Sequence, residues 1–185
     1  MCNKNRCSWC NQKNKIYVNY HDNEWGQANF DDSYLYEMLI LESFQAGLSW
    51  ECVLNKREAF RRAYDGFDIK KVISYGEEKI SKLLCDNGII RNRLKIKASI
   101  KNSRIFQEII TEFGSFYDYL KSFGITETIY ETEKTRSDLS DRISTDLTKK
   151  GMKFVGSTII YSFLQAIGVI YSHEKDCFLY KGHNV

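Results

Sequence analysis

The segment RNRLKIKASIKNSRIFQEIITEF, residues 91–113, places aliphatic side chains at helical intervals and separates them with charged and polar residues. Residues three or four apart lie on the same face of an α-helix, so this spacing predicts one long amphipathic helix. The aliphatic positions of the pattern are Leu94, Ile96, Ile100, Ile105, Ile109 and Ile110.

Helical patterns also lie on both sides of this segment. Asp31-Asp32-Ser33 is typical of a helix start, and the apolar pattern behind it extends to Gly47. We expect helices to end at Gly151 and at the Asn87-Gly88 pair, and we expect a residue in the left-handed conformation at Asn87-Gly88. Sustained strand-like alternation is missing, so the predicted fold class is all-α. The further predicted helices span residues 50–64, 77–86, 117–123, 139–150 and 156–170.

Length and composition narrow the class of protein. The chain has 185 residues, of which 43% are hydrophobic, enough for one domain or two small lobes that share a core. No stretch approaches the roughly 18 apolar residues of a membrane span. The first residues, MCNKNRCSWCNQKNK, lack the apolar core of a signal peptide. We therefore expect a cytoplasmic protein without membrane contact, whose 6 cysteines are reduced thiols.

Positive charge is concentrated in one region, although the net charge is only +3. The basic cluster between Gly88 and Arg104 contains no acidic residue and suits contact with a phosphate backbone. A solvated helix face explains the same cluster equally well. Nothing in the sequence marks Lys95 as desolvated or activated. The basic residues are Arg91, Arg93, Lys95, Lys97, Lys101 and Arg104.

Histidine and cysteine side chains near the two ends of the chain suggest a metal site. His173 and Cys177 stand four residues apart, while Cys7, Cys10 and His21 lie near the other terminus. Two thiolates and two imidazoles would close a tetrahedral structural zinc site and join the chain ends. Spacing alone does not choose between Cys7 and Cys10. Buried thiols with a surface histidine are the alternative interpretation.

An acidic residue interrupts an aromatic-rich, apolar region. All 3 tryptophans lie in the first fifty residues, where aromatic clusters usually form core. Glu42 lies in LILESFQAGLSW, four residues after Met38 and three after Leu39, which places its carboxylate on or beside the buried face. An unpaired buried carboxylate is costly. A cationic ligand held among aromatic faces would supply its partner.

Four blocks of the sequence resemble one family, the bacterial type I 3-methyladenine DNA glycosylases. The likeness runs from Cys7 to Cys177 in the right order, and the spacing of His173 and Cys177 matches as well. The blocks are YHDNEWG (20–26), LESFQAGLSW (41–50), NGIIRNRLKI (87–96) and KKGMKFVGSTIIYSFLQAIG (149–168).

For the fold, the resemblance implies a helix-hairpin-helix DNA glycosylase with a zinc-binding lobe formed by both termini. The family's first ligand precedes a tryptophan by two residues, which favours Cys7 over Cys10. One structural Zn²⁺ per chain is then expected. A single glycosylase unit (1–185) would comprise a helical hairpin lobe, about 51–125, and a terminal lobe, about 1–50 plus 137–185. The implied zinc ligands are Cys7, His21, His173 and Cys177.

For function, the resemblance implies a monomer that flips 3-methyladenine out of alkylated duplex DNA and hydrolyses its glycosidic bond. Free 3-methyladenine and an abasic site would be the products, with no lyase step. Glu42 is implied to contact the flipped base and to act in catalysis, and Gly88 to let backbone amides approach a phosphate. The implied pocket residues are Trp9, Tyr17, Tyr20, Glu42 and Trp50. The implied DNA contacts are Gln45, Gly47, Leu48, Gly88, Arg91 and Arg93.

Two other functions compete with this interpretation. A noncatalytic, zinc-stabilised helix-hairpin-helix module would bind DNA and leave Glu42 and the tryptophans as ordinary core. A zinc-dependent nucleobase deaminase needs a zinc-bound water beside a glutamate, commonly with H-x-E and P-C-x-x-C motifs. The chain has 0 prolines, and four protein ligands would fill the metal, which disfavours the deaminase. The sequence departs from the family pattern at Ser8, Phe44, Asn92 and Leu94.

Overall fold

A computed structural model describes residues 4–182, which form ten α-helices and two very short strands. The first and last three residues of the chain, and with them Cys2 and the outer ends of the predicted terminal lobe, lie outside the described residues. The helices are α1 (Lys15–Asn23), α2 (Asp32–Gln45), α3 (Trp50–Leu54), α4 (Arg57–Ala63), α5 (Ile69–Ile73), α6 (Glu77–Cys85), α7 (Arg93–Phe113), α8 (Phe116–Lys121), α9 (Asp138–Lys150) and α10 (Ser157–Ala166).

The predominantly helical class is confirmed, and a small strand pair accompanies it. β1 (Ile129–Tyr130) pairs in parallel with β2 (Ile170–Tyr171). The prediction of helix up to residue 170 is wrong, because α10 ends at Ala166 and the chain turns at Gly168. Gly168 has φ +78°, and a Cβ there would lie 2.4 Å from the amide nitrogen of Ala28. Only glycine fits this close approach of two backbone segments.

The long amphipathic helix predicted from residues 91–113 is α7, capped by the Asn92 side chain, which accepts from the amide of Lys95. Its buried face includes Ile96 and Ile105. Leu94 does not belong to that face and is 72% exposed. Leu94 and Ile96 point to nearly opposite sides of the helix, and Ile96 is the one that packs into the core.

The helices of the structure differ from the predicted ones in two respects. The single helix predicted over residues 50–64 is divided into α3 and α4 at Asn55 and Lys56. The helices α1 and α5 were not predicted, although α1 follows an N-cap residue. The side chain of Asn14 accepts from the amides of Ile16 and Tyr17, which is the usual N-cap arrangement.

The loop between α6 and α7 forms a helical hairpin whose glycine has a packing function. Gly88 lies outside the left-handed region, so the predicted left-handed residue is wrong. A Cβ at Gly88 would lie 3.0 Å from the Cβ of Ala59 in α4. The amide of Gly88 donates to Asp86 Oδ1 at 2.8 Å, and Lys56 Nζ donates to the carbonyls of Asn87 and Gly88 at 3.2 Å. Glycine therefore lets the hairpin pack closely on α4.

Helix α2 runs through the core and determines where the acidic residue Glu42 lies. Its buried residues include Leu35, Met38 and Leu41, and it packs against α7 and α10. Arg57 of α4 donates to both Glu24 and Glu37 at 2.6 Å and so joins α4 to α2. In the described part of the chain, no helix combines the length and apolar character needed to cross a membrane.

Candidate functional site

One cavity of about 420 Å³ brings together all five residues of the expected pocket. Small-molecule sites are typically concave, aromatic-rich spaces of this size, with a few polar groups. That these residues bind a substrate stays a prediction, but their convergence on one cavity is a feature of the fold. The five are Trp9, Tyr17, Tyr20, Glu42 and Trp50.

Aromatic rings form much of the cavity wall. The centroids of Tyr20 and Trp50 lie 5.6 Å apart, and those of Trp9 and Tyr17 lie 5.2 Å apart. Trp25 lines the same cavity and packs edge-on against Trp9 at 4.8 Å. Trp25 was absent from the expected pocket, although it belongs to the YHDNEWG block. Burial raises the pKa of Tyr17 to about 12 and that of Tyr20 well above its ordinary value, so both rings carry neutral hydroxyls.

Glu42 is the acidic group of the cavity and lies at the C-terminal end of α2. It is 2% exposed, and its Oε2 has no hydrogen-bond partner among residues 4–182. Burial alone raises the pKa of this carboxyl well above its usual range. A buried polar atom without a partner costs free energy, so the cavity favours a ligand that donates to Glu42 or carries positive charge.

Two further buried polar atoms at the cavity also have no partner within the described residues. They are the indole nitrogen Nε1 of Trp50 and the amide oxygen Oε1 of Gln45. Trp50 offers a donor, whereas Glu42 and Gln45 offer acceptors. Gln45 was predicted as a DNA contact, and the structure places its amide at the cavity. A planar heterocycle with both donors and acceptors matches this set.

The remaining wall comes from distant parts of the chain. The cavity is also lined by Glu133, Lys134 and Thr135, which lie in a segment without a recognisable motif. Their segment is attached to β2, because the amide of Glu131 donates to the carbonyl of Tyr171 at 3.2 Å. No local pattern connects these residues to the first fifty residues. The other lining residues are Ser162, Gln165, Ser172 and Glu174.

Beside the cavity, four buried side chains from both chain ends form a group that can hold a metal ion. The ligand atoms of Cys7, His21, His173 and Cys177 all lie within 4.8 Å of one another. Cys7 Sγ and Cys177 Sγ lie 3.4 and 3.5 Å from His173 Nδ1, and Cys177 Sγ lies 3.5 Å from His21 Nε2. The five cysteines of residues 4–182 form no disulfide bond in this structure.

The surroundings of the four-residue group explain how it is held. The other ring nitrogen of His21, Nδ1, lies 2.8 Å from Asp22 Oδ1, and Asp22 pairs with Arg6 at 2.7 Å. A carboxylate behind a histidine fixes the orientation of its ring. Cys10 is buried outside the group, with Sγ 4.0 Å from the carbonyl of Tyr17.

The four-residue group is linked directly to the aromatic cavity. Ser8 lies between Cys7 and Trp9, and its amide and hydroxyl donate to the Glu174 carboxylate at 2.6 and 2.7 Å. Glu174 in turn follows His173. The serine that departs from the family pattern therefore joins the two chain ends next to Trp9.

Comparison with known proteins places the chain in a family. A family model described as methyladenine glycosylase matches residues 9–180. The chain belongs to the methyladenine glycosylase family. It is 42% identical over 184 residues to DNA-3-methyladenine glycosylase 1 of Escherichia coli K12, covering 96% of this chain and 98% of that protein.

Solved structures of similar proteins share the whole fold. A Staphylococcus aureus 3-methyladenine DNA glycosylase I is 33% identical, with a TM-score of 0.90 and coverage of 98% of this chain and 99% of that chain. A substituted 3-methyladenine DNA glycosylase I in complex with 3-methyladenine is 32% identical, with a TM-score of 0.89 and coverage of 97% and 100%.

In this methyladenine glycosylase, five of the six residues expected to contact DNA lie on the hairpin and its exit or on the loop after α2, whereas Gln45 ends α2 at the cavity. Gly47 and Leu48 are exposed, as are Arg91 and Arg93, whereas Gly88 is half-buried. Arg93 and Lys97 pair with Glu77 of α6 at 2.5 and 2.8 Å. The basic cluster, which contains no acidic residue in the sequence, therefore has the acidic side chain of Glu77 beside it in the folded protein.

Lys95 differs from the other basic residues of the cluster. It is 7% exposed, and burial lowers its pKa. Its Nζ donates to the carbonyls of Phe44 and Ala46 at 2.9 and 2.5 Å. The expectation that Lys95 is not desolvated is wrong, because the carbonyls that bury it come from a helix end 49 residues away in the chain.

Proposed function

We propose that this protein removes 3-methyladenine from alkylated DNA in base-excision repair, by hydrolysis of the glycosidic bond and without a lyase step. Membership of the methyladenine glycosylase family supports the activity, as do relatives named for it over nearly the whole chain. One observation carries the assignment to this cavity. Glu42 is a buried carboxylate with an oxygen that has no partner within residues 4–182, and it faces an aromatic-walled space.

The charge of the substrate explains this arrangement. An adenine alkylated at N3 and still attached to its sugar is a cation, whereas ordinary adenine is neutral. Aromatic faces and a nearby carboxylate both stabilise positive charge. The base must leave the stack to reach the cavity, as in other enzymes that act on bases. Glu42 then accepts from the base, and the indole of Trp50 donates to it.

The reaction needs little acid catalysis, because the leaving group is already cationic. The oxygen of water bonds to C1′ of the sugar while the bond from C1′ to the base nitrogen breaks. The electron pair of that bond neutralises the purine, and the water loses a proton to solvent. Free 3-methyladenine and an abasic site result. Glu42 acts by holding the cationic base where its bond to the sugar is exposed to water.

We propose that the four-residue group holds a structural zinc ion, which would join the chain ends and leave no open coordination position. Two thiolates and two imidazoles are a common structural zinc set. Bond lengths of about 2.0–2.3 Å imply ligand–ligand distances of roughly 3.3–3.8 Å around a tetrahedral ion. Three of the separations between donor atoms, 3.4, 3.5 and 3.5 Å, fit these distances, and all four donor atoms lie within 4.8 Å of one another. Cys7, rather than Cys10, contributes the fourth donor.

We further propose that the helical hairpin and the loop after α2 form the DNA-binding surface of a helix-hairpin-helix glycosylase. A hairpin lobe of about residues 51–125 would bind the backbone through Arg91 and Arg93. A terminal lobe of about 1–50 plus 137–185 would contribute most of the base pocket and the zinc ligands. Gly47 and Leu48, in the loop after α2, are exposed.

Release of free base from methylated DNA, measured by chromatography, tests the activity. We expect release by the parent protein and much slower release by Glu42→Gln, since the charge is lost while the size is kept. Glu108→Gln is the matched control, because Glu108 is an exposed glutamate of α7. A noncatalytic DNA-binding module would bind the same duplex and release no base.

A further inference from the structure

Lys95 joins two parts of the DNA-binding surface through buried hydrogen bonds. It lies in the first turn of α7, directly after the hairpin loop, and its Nζ donates to the carbonyls of Phe44 and Ala46. These carbonyls are at the C-terminal end of α2, where a helix leaves its last carbonyls without internal partners. The negative end of the helix dipole also lies there, so a buried cation is well placed.

Among the described residues, the Lys95 ammonium makes no ion pair. Within residues 4–182 its hydrogen-bond acceptors are these two carbonyls, and its Nζ lies 5.8 Å from the centroid of the Phe154 ring. Lys97, two residues further on, is exposed and pairs with Glu77 instead. Burying a lysine without a carboxylate partner costs free energy. The two hydrogen bonds to α2 offset part of this cost, and they also hold the backbone of α2 against α7.

The position of the two carbonyls gives this contact a functional meaning. Glu42 lies one turn before Ala46, and Trp50 begins α3 after the exposed Gly47-Leu48 loop. The segment that Lys95 holds therefore connects the carboxylate and the indole of the cavity. The same lysine belongs to the helix that leaves the hairpin.

We infer that Lys95 is a positioning residue that fixes the loop of residues 46–49 relative to the hairpin. DNA bound by the hairpin would then present its damaged nucleotide to the cavity. This inference rests on the proposed function. It differs from a direct phosphate contact, because the ammonium is buried against carbonyls, and from a purely structural role, because it concerns the alignment of two DNA-contacting segments.

Lys95→Met tests this inference, with Lys82→Met as the matched control. Lys82 is an exposed lysine of α6 and pairs with Glu78 at 2.8 Å, so the control removes the same charge. Four measurements are compared for folded protein: melting, binding of free 3-methyladenine, binding of duplexes with and without an abasic-site analogue, and release of base from methylated DNA.

For Lys95→Met we expect base release and binding of the abasic-site duplex to fall about tenfold, the scale of one lost charge-assisted hydrogen bond. Binding of free base and of undamaged duplex should stay within about twofold of the parent. Lys82→Met should change none of these. If Lys95→Met fails to fold, Lys95→Arg is measured instead. It keeps the charge, but the wider guanidinium cannot occupy the same position between the two carbonyls. This variant should still lose its preference for the abasic-site duplex over the undamaged duplex.

Two results would overturn the positioning role. Equal losses for the abasic-site and undamaged duplexes would mean that Lys95 contacts phosphate directly. Lower melting with unchanged DNA binding and base release per folded molecule would mean that Lys95 only stabilises the fold. A parent protein that releases no base would instead refute the proposed function, and the duplex comparison would still test Lys95.

Discussion

Glu42 and Trp50 present buried polar atoms of opposite kind to one cavity. Oε2 of Glu42 is an acceptor and Nε1 of Trp50 is a donor, and neither has a partner in the described part of the chain. The Ser49 side chain caps α3 by accepting from Cys52, so the start of the helix that carries Trp50 is well defined. The pair is therefore held ready for a ligand that can both donate and accept.

Glu42→Gln should weaken binding of free 3-methyladenine by about ten- to a hundredfold, because hydrogen bonds to charged groups contribute roughly 1.5–3 kcal/mol. Shape contributes a term of comparable size, since one methyl-sized difference in an apolar pocket is worth about 1–3 kcal/mol. Calorimetric titration with the base, alongside a melting curve, measures the effect. A variant that melts early yet binds the base normally would contradict the recognition role of Glu42.

The same substitution should change how stability depends on pH. In the protein without a bound base, the pKa of Glu42 is raised on folding, so its carboxyl keeps a proton at pH values where the unfolded chain has already released it. The stabilising contribution of the protonated carboxyl is complete below the unfolded pKa and is lost as pH rises through the folded pKa. Glutamine does not titrate. The melting temperature of Glu42→Gln, relative to the parent, should therefore increase with pH, and a difference independent of pH would contradict the assignment.

Features that depend on neighbouring residues in the sequence were predicted correctly, whereas features that depend on distant segments were not. The α7 pattern and the Asp31 cap are local, and both predicted helices formed. The burial of Lys95 and the packing of Gly88 on Ala59 depend on segments distant in the chain, and local patterns missed both. The histidine–cysteine spacing left Cys10 open as a ligand, and only the resemblance favoured Cys7.

Removing one proposed zinc ligand should lower metal content and stability together. Cys177→Ser is expected to lose the metal, because structural zinc sites contribute their binding free energy to folding. Cys10→Ser is the matched control, since Cys10 is also buried but lies outside the four-residue group. Metal analysis and melting curves measure both effects. Loss of metal in Cys10→Ser together with retention in Cys7→Ser would show that the ligand assignment is wrong.

Neutralising Arg91 and Arg93 should weaken binding to any duplex and flatten its salt dependence. Each lost phosphate contact lowers the slope of log affinity against log salt by about 0.9. The pair of Arg93 with Glu77 is exposed on both sides and so should not prevent phosphate contact. Lys121→Ala serves as a control for loss of an exposed charge outside the hairpin. An unchanged slope in the double variant would place the DNA surface elsewhere.

Hydrolysis should proceed without a covalent bond between a lysine and the sugar. Lys95 has a lowered pKa, which favours the nucleophilic neutral amine, and it lies close to the hairpin. A nucleophile must also reach C1′ of the sugar, and Lys95 Nζ instead donates to the carbonyls of Phe44 and Ala46 from a site that is 7% exposed. The burial and the two hydrogen bonds of Lys95 therefore oppose nucleophilic attack on the sugar, although its lowered pKa would favour it.

Borohydride reduction during turnover on methylated DNA measures this directly, since it traps any imine between enzyme and sugar. We expect no trapped complex for the parent protein or for Lys95→Met, while free base is still released. A trapped complex with the parent that disappears in Lys95→Met would assign a lyase step to this lysine. A complex that persists in Lys95→Met would assign the step to another amine. Either result would replace direct attack by water with a covalent mechanism.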